Sequence, residues 1–325
     1  MNNNRRMTIR AAGTFAGGWV FGLNASAAEA WPTRPIRLVV PFPVGAGPDV
    51  YARLYASELS KALKVIVWVD NKPGASGILG TDVVAKAAPD GNTLLYGFNQ
   101  LVTFNPHLFS KLPFDVNADL APVSQLLSGA YVLLASASFG PSSLPRLIEE
   151  ARRSPGKINY ASYGPGTASH LGMALIEERA KIELFHVPYK QGALADVIAG
   201  QVPLVLEPSQ AAIAQIKGGK LKAIAVTSAQ RLSALPDVPT VAETLTGYNL
   251  AGWHGIFAPA KTEASIVDRL VAELKRIAFA PDMLNRLRED SLLPLATTSA
   301  QFKELVLSEQ RIWGAIIKAK NIRLD

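Results

Sequence analysis

Short β-rich runs alternate with amphipathic helical stretches along most of this chain. Predicted strands at 36–42, 65–69 and 93–98 are separated by predicted helices at 49–63 and 81–87. Such alternation is typical of mainly parallel sheets covered by helices, because each helix returns the chain to the starting end of the sheet. The sequence therefore predicts an α/β fold.

The alternation is interrupted and then restarts, which predicts two lobes. Residues 123–137 contain two β-rich pieces around Ser128-Gly129, and 249–257 is interpreted as a return crossing. A chain of 325 residues also exceeds the usual length of one domain. The expected boundaries are 31–128 with 250–325 for the first lobe and 129–249 for the second.

Apolar spacing predicts which helix faces are buried. In the helix at 49–63 the residues predicted to face the core are Val50, Leu54 and Leu63. The C-terminal part is almost wholly helical and is expected to dock on the first lobe. Its predicted core residues are Leu270, Leu274, Ile277, Phe302, Leu305, Val306, Ile312 and Ile316.

Residues 1–30 carry the parts of an export signal in the expected order. A twin-arginine-like run starts at Arg5, a weakly apolar stretch follows at 11–23, and small residues come next. The apolar stretch is shorter than the roughly 20 residues that cross a bilayer. We expect export with cleavage after Ala27 or Ala30, and an uncleaved anchor is the alternative.

Composition excludes several kinds of chemistry. The chain has no cysteine, which excludes thiol catalysis, disulfides and thiolate metal sites. The formal charge is +7, and the net +2 of residues 1–30 (three Arg, one Glu) leaves +5 for the rest. This excess favours encounter with anions. Because the basic residues are scattered and no nucleic-acid motif is present, we expect no nucleic-acid partner.

A glycine-rich loop, Pro41-Phe-Pro-Val-Gly-Ala-Gly-Pro-Asp49, joins the first strand to the first helix. Glycines let backbone amides approach a ligand, and a helix start presents free N–H groups and partial positive charge. A carboxylate is therefore expected to bind here without a basic side chain. The alternative is a tight turn at Gly45 and Gly47 with Asp49 as the helix cap.

A second loop of the same kind, Tyr163-Gly-Pro-Gly-Thr-Ala-Ser-His-Leu171, follows the predicted strand at 158–162. Thr167 and Ser169 offer hydroxyl groups at a helix start. Two such starts on facing lobes would clamp an anion. A dinucleotide-binding loop is disfavoured because Ser169 replaces the third glycine and Pro165 occupies the turn.

Further candidates follow other predicted strands, where open α/β sheets place ligands. They are Ser76, Gly77, Phe98, Asn99, Tyr189 and Glu207. Glu207 is the single acidic residue at such a strand end. The structural alternatives are a plain turn, a core position or, for Glu207, a solvent-facing carboxylate.

Motifs of common enzymes are missing from the sequence. It has no Gly-x-Ser-x-Gly elbow, no His-Glu-x-x-His helix and no P-loop. The widely spaced His107, His170, His186 and His254 are interpreted as structural or cavity-rim residues, and a triad assembled in space is the alternative. We expect no catalytic residue, no metal site and no cofactor.

Taken in order, the motifs resemble the Bug family of periplasmic receptors, which serve tripartite tricarboxylate transporters. The resemblance covers nearly the whole chain after residue 30. Besides the first loop, its segments are Trp31–Ile36, Asn71–Gly77, Val84–Gly91, Tyr160–Leu171, His186–Lys190, Lys222–Ser228, Leu235–Thr240 and Gly252–Pro259.

The resemblance implies a type II periplasmic-binding-protein fold, in which two α/β lobes joined by crossing strands close on a ligand carboxylate. Amides and hydroxyls of the two loops hold that carboxylate. By position, the contacts are Val44, Gly45, Ala46, Gly47, Asp49, Gly166, Thr167, Ala168 and Ser169. Two departures, Ala46 in place of a glycine and Glu207 in place of the common Asp, prevent transfer of ligand identity.

The implied function is capture of a small carboxylate and its delivery to membrane subunits of a transporter. The ligand is expected to be an aliphatic di- or tricarboxylate or an aromatic acid, for which Phe42, Phe98, Tyr163 and Trp253 are candidate wall residues. Alternatives are a co-receptor for a sensor kinase and a periplasmic hydrolase. We expect a periplasmic monomer.

Overall fold

The computed structural model describes residues 31–45 and 47–325. The predicted export signal at 1–30 and the predicted contact Ala46 lie outside the described residues.

Ten strands occur in the described part of the chain. They are β1 (Ile36–Val40), β2 (Val67–Asn71), β3 (Thr93–Phe98), β4 (Leu120–Ser136), β5 (Asn159–Ser162), β6 (Phe185–Pro188), β7 (Leu204–Pro208), β8 (Leu221–Val226), β9 (Ala251–Pro259) and β10 (Leu293–Pro294). Their order is β2-β1-β3-β9-β4-β7-β5-β6, and β8 and β10 also pair with β4.

The strands form two sheets that share β4. β1 is parallel to β2 and β3, and β5 is parallel to β6 and β7. Among the described residues, each pairing of β4 or β9 is antiparallel. Parallel pairing requires a crossover, which the intervening helices supply. This is the predicted α/β architecture of two lobes joined by crossing strands, in which β4 and β9 supply the antiparallel pairs of the mixed sheets.

β4 is longer than the sequence predicts. Instead of two pieces around Ser128 and Gly129, one strand of 17 residues runs through both. Its first part pairs with β9 and its last part with β7 and β8. A Cβ at Gly129 would lie 2.5 Å from Leu292 Cδ2, so this glycine allows the Leu292 side chain to pack closely against β4. β4 therefore passes directly from one lobe to the other.

The helices in the described ranges cover both sheets. They are α1 (Gly47–Leu63), α2 (Ile78–Ala85), α3 (Asn105–Leu108), α4 (Val116–Asp119), α5 (Leu144–Arg153), α6 (Ala168–Ala180), α7 (Ala193–Ile198), α8 (Ser209–Lys217), α9 (Ala264–Ala278), α10 (Pro281–Glu289) and α11 (Ser299–Ala319). A π-helical turn, Gln100–Phe104, precedes α3. None of the described helices has the length and apolar character needed to span a membrane.

α1 shows how a helix face is chosen by packing. It buries Tyr51 and Leu59 in the core of the first sheet. Of the predicted core residues, Leu63 is buried and Leu54 is half-buried, but Val50 is 41 % exposed. The prediction for Val50 is wrong because the large tyrosine at the next position takes the inward direction.

α11 contacts both lobes. Phe302 and Val306 pack in a core of the first sheet, whereas Trp313 and Ile316 pack with α6 in the core of the second. The C-terminal part was predicted to dock on the first lobe, whereas the second half of α11 packs on the second. The predicted core residue Ile312 is 44 % exposed, which corrects that prediction.

Candidate functional site

A cavity of about 300 Å³, the interloop cavity, lies between the loop before α1 and the loop before α6. Seven predicted ligand contacts line it: Phe42, Phe98, Asn99, Tyr163, Thr167, Ala168 and Ser169. They follow the carboxyl ends of β1, β3 and β5. Open α/β sheets bind ligands at such strand ends.

Seven further residues line the interloop cavity; one of them, Trp253, is a predicted wall residue, and the other six are not among the predicted contacts. The seven are Pro48, Gln100, Tyr131, Pro208, Gly252, Trp253 and His254. Gly252 and His254 are two positions apart on β9, and alternate residues of a strand face the same side. This period of two, applied to the predicted crossing at 249–257, is the sequence signal that could have identified Gly252 and His254.

The loop before α6 uses several of its own amides internally. The Tyr163 N–H donates to Ser169 Oγ at 3.1 Å, and the Gly166 N–H donates to His170 Nδ1 at 3.1 Å. The Thr167 hydroxyl donates to the Gly164 carbonyl oxygen at 2.7 Å. These groups shape the loop and are therefore not the main donors to a ligand.

The first turn of α6 supplies the donors that the loop does not use. Ala168 and Ser169 belong to this turn and line the interloop cavity. The first N–H groups of a helix have no partner within the helix, and the helix dipole places roughly half a positive charge there. An anion in the cavity can therefore accept hydrogen bonds from main-chain N–H groups.

Two stacked histidines lie beneath this loop. The rings of His170 and His186 are 3.9 Å apart and nearly parallel, and His186 Nε2 is 2.6 Å from Ser162 Oγ. Burial, the facing His186 ring and the charge of Lys320 lower the pKa of His170 to about 3. His170 is therefore neutral at physiological pH, and its Nδ1 can accept the hydrogen bond from Gly166.

The loop before α1 is held by Asp49. This carboxylate is 2 % exposed and accepts hydrogen bonds from the Gly45 N–H, Arg53 Nε and Asn71 Nδ2. Burial acts to raise the pKa of Asp49, but the hydrogen bonds from Arg53, Gly45 and Asn71 lower it overall. Asp49 is thus an ionised anchor of the loop, and it lies in the first turn of α1, which begins at Gly47, and not at the predicted cap position.

The structure does not bring the other predicted contacts to the interloop cavity. Apart from Ala46, they are Val44, Gly45, Gly47, Asp49, Ser76, Gly77, Gly166, Tyr189 and Glu207. Val44 is 71 % exposed. A Cβ on Gly77 would lie 2.3 Å from Leu101 Cδ2, so this glycine permits close packing. The Ser76 carbonyl oxygen accepts from Asn105, and the Tyr189 hydroxyl donates to Asp196.

Glu207 reaches the interloop cavity only through Tyr163. Its side chain is buried, and Tyr163 Oη donates to Glu207 Oε2 at 2.6 Å. Burial raises the pKa of Glu207 to about 7. The carboxyl therefore fixes the orientation of a tyrosine that lines the cavity.

Replacing Glu207 by glutamine is expected to change how stability depends on pH. The pKa of Glu207 is raised in the folded protein from 4.5 to about 7, so its favourable contribution is complete below pH 4.5 and is lost as pH rises to 7. The unfolding free energy of Glu207→Gln minus that of the unaltered protein should therefore be about 2 kcal/mol higher at pH 7 than at pH 5. Urea unfolding at both pH values measures this gain, and equal differences at the two values would contradict it.

The interloop cavity has an uncharged wall. None of its lining residues within the described ranges is Lys or Arg. His254 lines it with a ring that bonds to Tyr96 Oη through Nδ1 at 3.0 Å, and burial lowers the pKa of His254 to about 4. A bound anion must therefore be held by main-chain N–H groups and neutral side chains.

A second cavity of about 860 Å³ lies beside β4, β9 and the segments 228–234 and 291–294. It contains none of the predicted ligand contacts and neither of the two strand-to-helix loops. Although it is larger, we take the interloop cavity as the candidate site because it joins residues of both loops.

Comparisons with known proteins place the chain in a family. Residues 51–322 match the family described as tripartite tricarboxylate transporter family receptor. BugT of Bordetella pertussis is 30% identical over 303 residues, which cover 91% of this chain and 92% of BugT. The predicted resemblance to the Bug family is therefore confirmed.

Two solved structures show the same fold. The R. palustris protein Rpa4515 with adipate is 30% identical, with a TM-score of 0.76 over 89% of this chain and 97% of that one. MatC (Rpa3494) from Rhodopseudomonas palustris with bound malate is 30% identical, with a TM-score of 0.73 over 88% of this chain and 100% of MatC. The chain belongs to the tripartite tricarboxylate transporter receptor family.

Proposed function

We propose that the protein is an exported receptor that captures a small carboxylate between its two lobes and delivers it to membrane subunits of a tripartite transporter. The observation that carries this proposal is the start of α6, whose residues Ala168 and Ser169 line the interloop cavity. An anion is stabilised at such a helix start. The adipate and malate in the solved relatives support the same class of ligand.

The proposed receptor is periplasmic. Residues 1–30 act as its export signal and are removed after Ala27 or Ala30. The β4 pairing changes from β9 to β7 near Gly129, which supports the lobe boundary there. The proposed lobes are 31–128 with 250–325, and 129–249.

We assign the protein no catalytic role. His170 accepts a hydrogen bond from the loop amide of Gly166, and His186 stacks on it. His254 is hydrogen-bonded to Tyr96. These histidines therefore support the loop and the cavity wall.

Calorimetric titration with small acids tests the proposal. The exported protein should bind at least one of malate, adipate, citrate and benzoate with a Kd of about 10 µM or below. The corresponding neutral amides should bind at least about 10-fold more weakly, because a hydrogen bond to a charged acceptor contributes about 1.5–3 kcal/mol and one to a neutral acceptor about 0.5–1.5 kcal/mol. Folded protein that binds none of these acids, or binds amides and acids alike, would contradict the proposal.

A further inference from the structure

Six of the fourteen residues that line the interloop cavity carry aromatic rings. Phe42 and Phe98 meet edge to face with centroids 5.4 Å apart. The other four are Tyr131, Tyr163, Trp253 and His254. Aromatic rings prefer such offset or edge-to-face neighbours at centroid distances of about 4.5–7 Å. A planar ring therefore finds matching partners in this cavity.

The anion-binding capacity of the cavity is concentrated on one side. On the α6 side, Ala168 and Ser169 belong to the first helical turn. On the α1 side, Pro48 lines the cavity and has no N–H group, and the Gly45 N–H already donates to Asp49. The second helix start is therefore poorer in donors than the first.

A second carboxylate in this cavity would be unfavourable. The described lining residues include no Lys or Arg, and the carboxyl group that holds the lining residue Tyr163 from behind, Glu207, is acidic. Burying a charge without a partner is costly. The cavity thus suits a ligand with one charged end.

We infer that the ligand is an aromatic acid with a single carboxylate, bound with its charged end at α6 and its ring against Phe42 and Phe98. This inference rests on the proposed receptor function and narrows its ligand class. The cavity volume of about 300 Å³ is sufficient for a one-ring acid and lies at the lower limit of ordinary ligand pockets.

Calorimetry with a matched set of acids tests this inference. Benzoate and 3-phenylpropanoate represent it, cyclohexanecarboxylate matches benzoate in size without an aromatic ring, and benzene-1,4-dicarboxylate adds a second charge. The best aromatic monocarboxylate should bind at least about 10-fold more tightly than adipate, malate and the benzene dicarboxylate. This ratio corresponds to a difference in binding free energy of about 1.4 kcal/mol. The affinity for the aromatic monocarboxylate should exceed the affinity for cyclohexanecarboxylate by about 3-fold or more.

The same titrations distinguish failure of the aromatic ligand from failure of the receptor function. Tighter or equal binding of adipate, malate or the benzene dicarboxylate would overturn the aromatic ligand and leave the carboxylate receptor in place. Absence of binding by every acid would remove the receptor function itself.

A variant pair links the preference to the wall. Phe42→Leu should weaken binding of the aromatic acid by about 3- to 10-fold, with a smaller effect on any aliphatic acid. Phe279→Leu is the control, since Phe279 is exposed at the end of α9 and outside the cavity. Equal effects of Phe42→Leu on both acids, or equal effects of the two variants, would contradict the assignment.

Discussion

Replacing Ala168 by proline is expected to weaken carboxylate binding by about 10- to 100-fold while the protein remains folded. Proline removes one N–H group from the first turn of α6, and a hydrogen bond to a charged group contributes about 1.5–3 kcal/mol. Proline is well tolerated at the first helical position. Thr167 has a ψ of 161°, the extended conformation that suits the residue before proline. Calorimetry measures the affinity, and thermal unfolding measures the stability.

Ala264→Pro is the matched control for this substitution. Ala264 is the first residue of α9, and the preceding Glu263 has a ψ of 140°. It does not line the interloop cavity, so its replacement should leave affinity unchanged. Undiminished binding by Ala168→Pro would show that its amide does not hold the carboxylate.

Replacing Trp253 by alanine is expected to reduce the free energy of unfolding by about 3–5 kcal/mol. Trp253 is 1 % exposed and packs edge to face on Phe302 with centroids 5.1 Å apart. Its indole Nε1 donates to both carboxylate oxygens of Glu309 at 3.0 Å. Alanine therefore leaves a cavity in the core and removes a donor from a buried acid.

Trp253→Phe separates these two effects, because it keeps an aromatic ring and removes the indole N–H. Burial raises the pKa of Glu309 to about 7. The phenylalanine variant should therefore lose less stability, about 1–3 kcal/mol, through the missing hydrogen bond. Guanidinium unfolding of both variants measures the difference. A loss below about 1 kcal/mol for Trp253→Ala would contradict the described packing.

Local signals in the sequence predicted many elements of the fold. β3, α5 and α8 have the predicted bounds, and each is a continuous apolar or amphipathic segment. The continuity of β4 was not predictable in this way, since it depends on β7 and β9, which lie far away in the sequence. The exposure of Val50 likewise follows from the packing of its larger neighbour Tyr51.

The positions of the two glycine-containing loops were predictable, but which of their amides are free was not. In both loops a glycine N–H is taken by a side chain four residues later, Gly45 by Asp49 and Gly166 by His170. Glycine content alone does not show this, because the side chain must turn back from the first helical turn. A hydrogen-bonding residue four positions after a loop glycine therefore indicates that the glycine N–H can be occupied within the loop.

The crystal structure of the protein with its bound acid tests main-chain anion binding most directly. We expect a carboxylate oxygen within about 3.2 Å of the backbone nitrogen of Ala168 or Ser169. A carboxylate that contacts neither nitrogen, or that lies in the larger cavity beside 228–234, would contradict it.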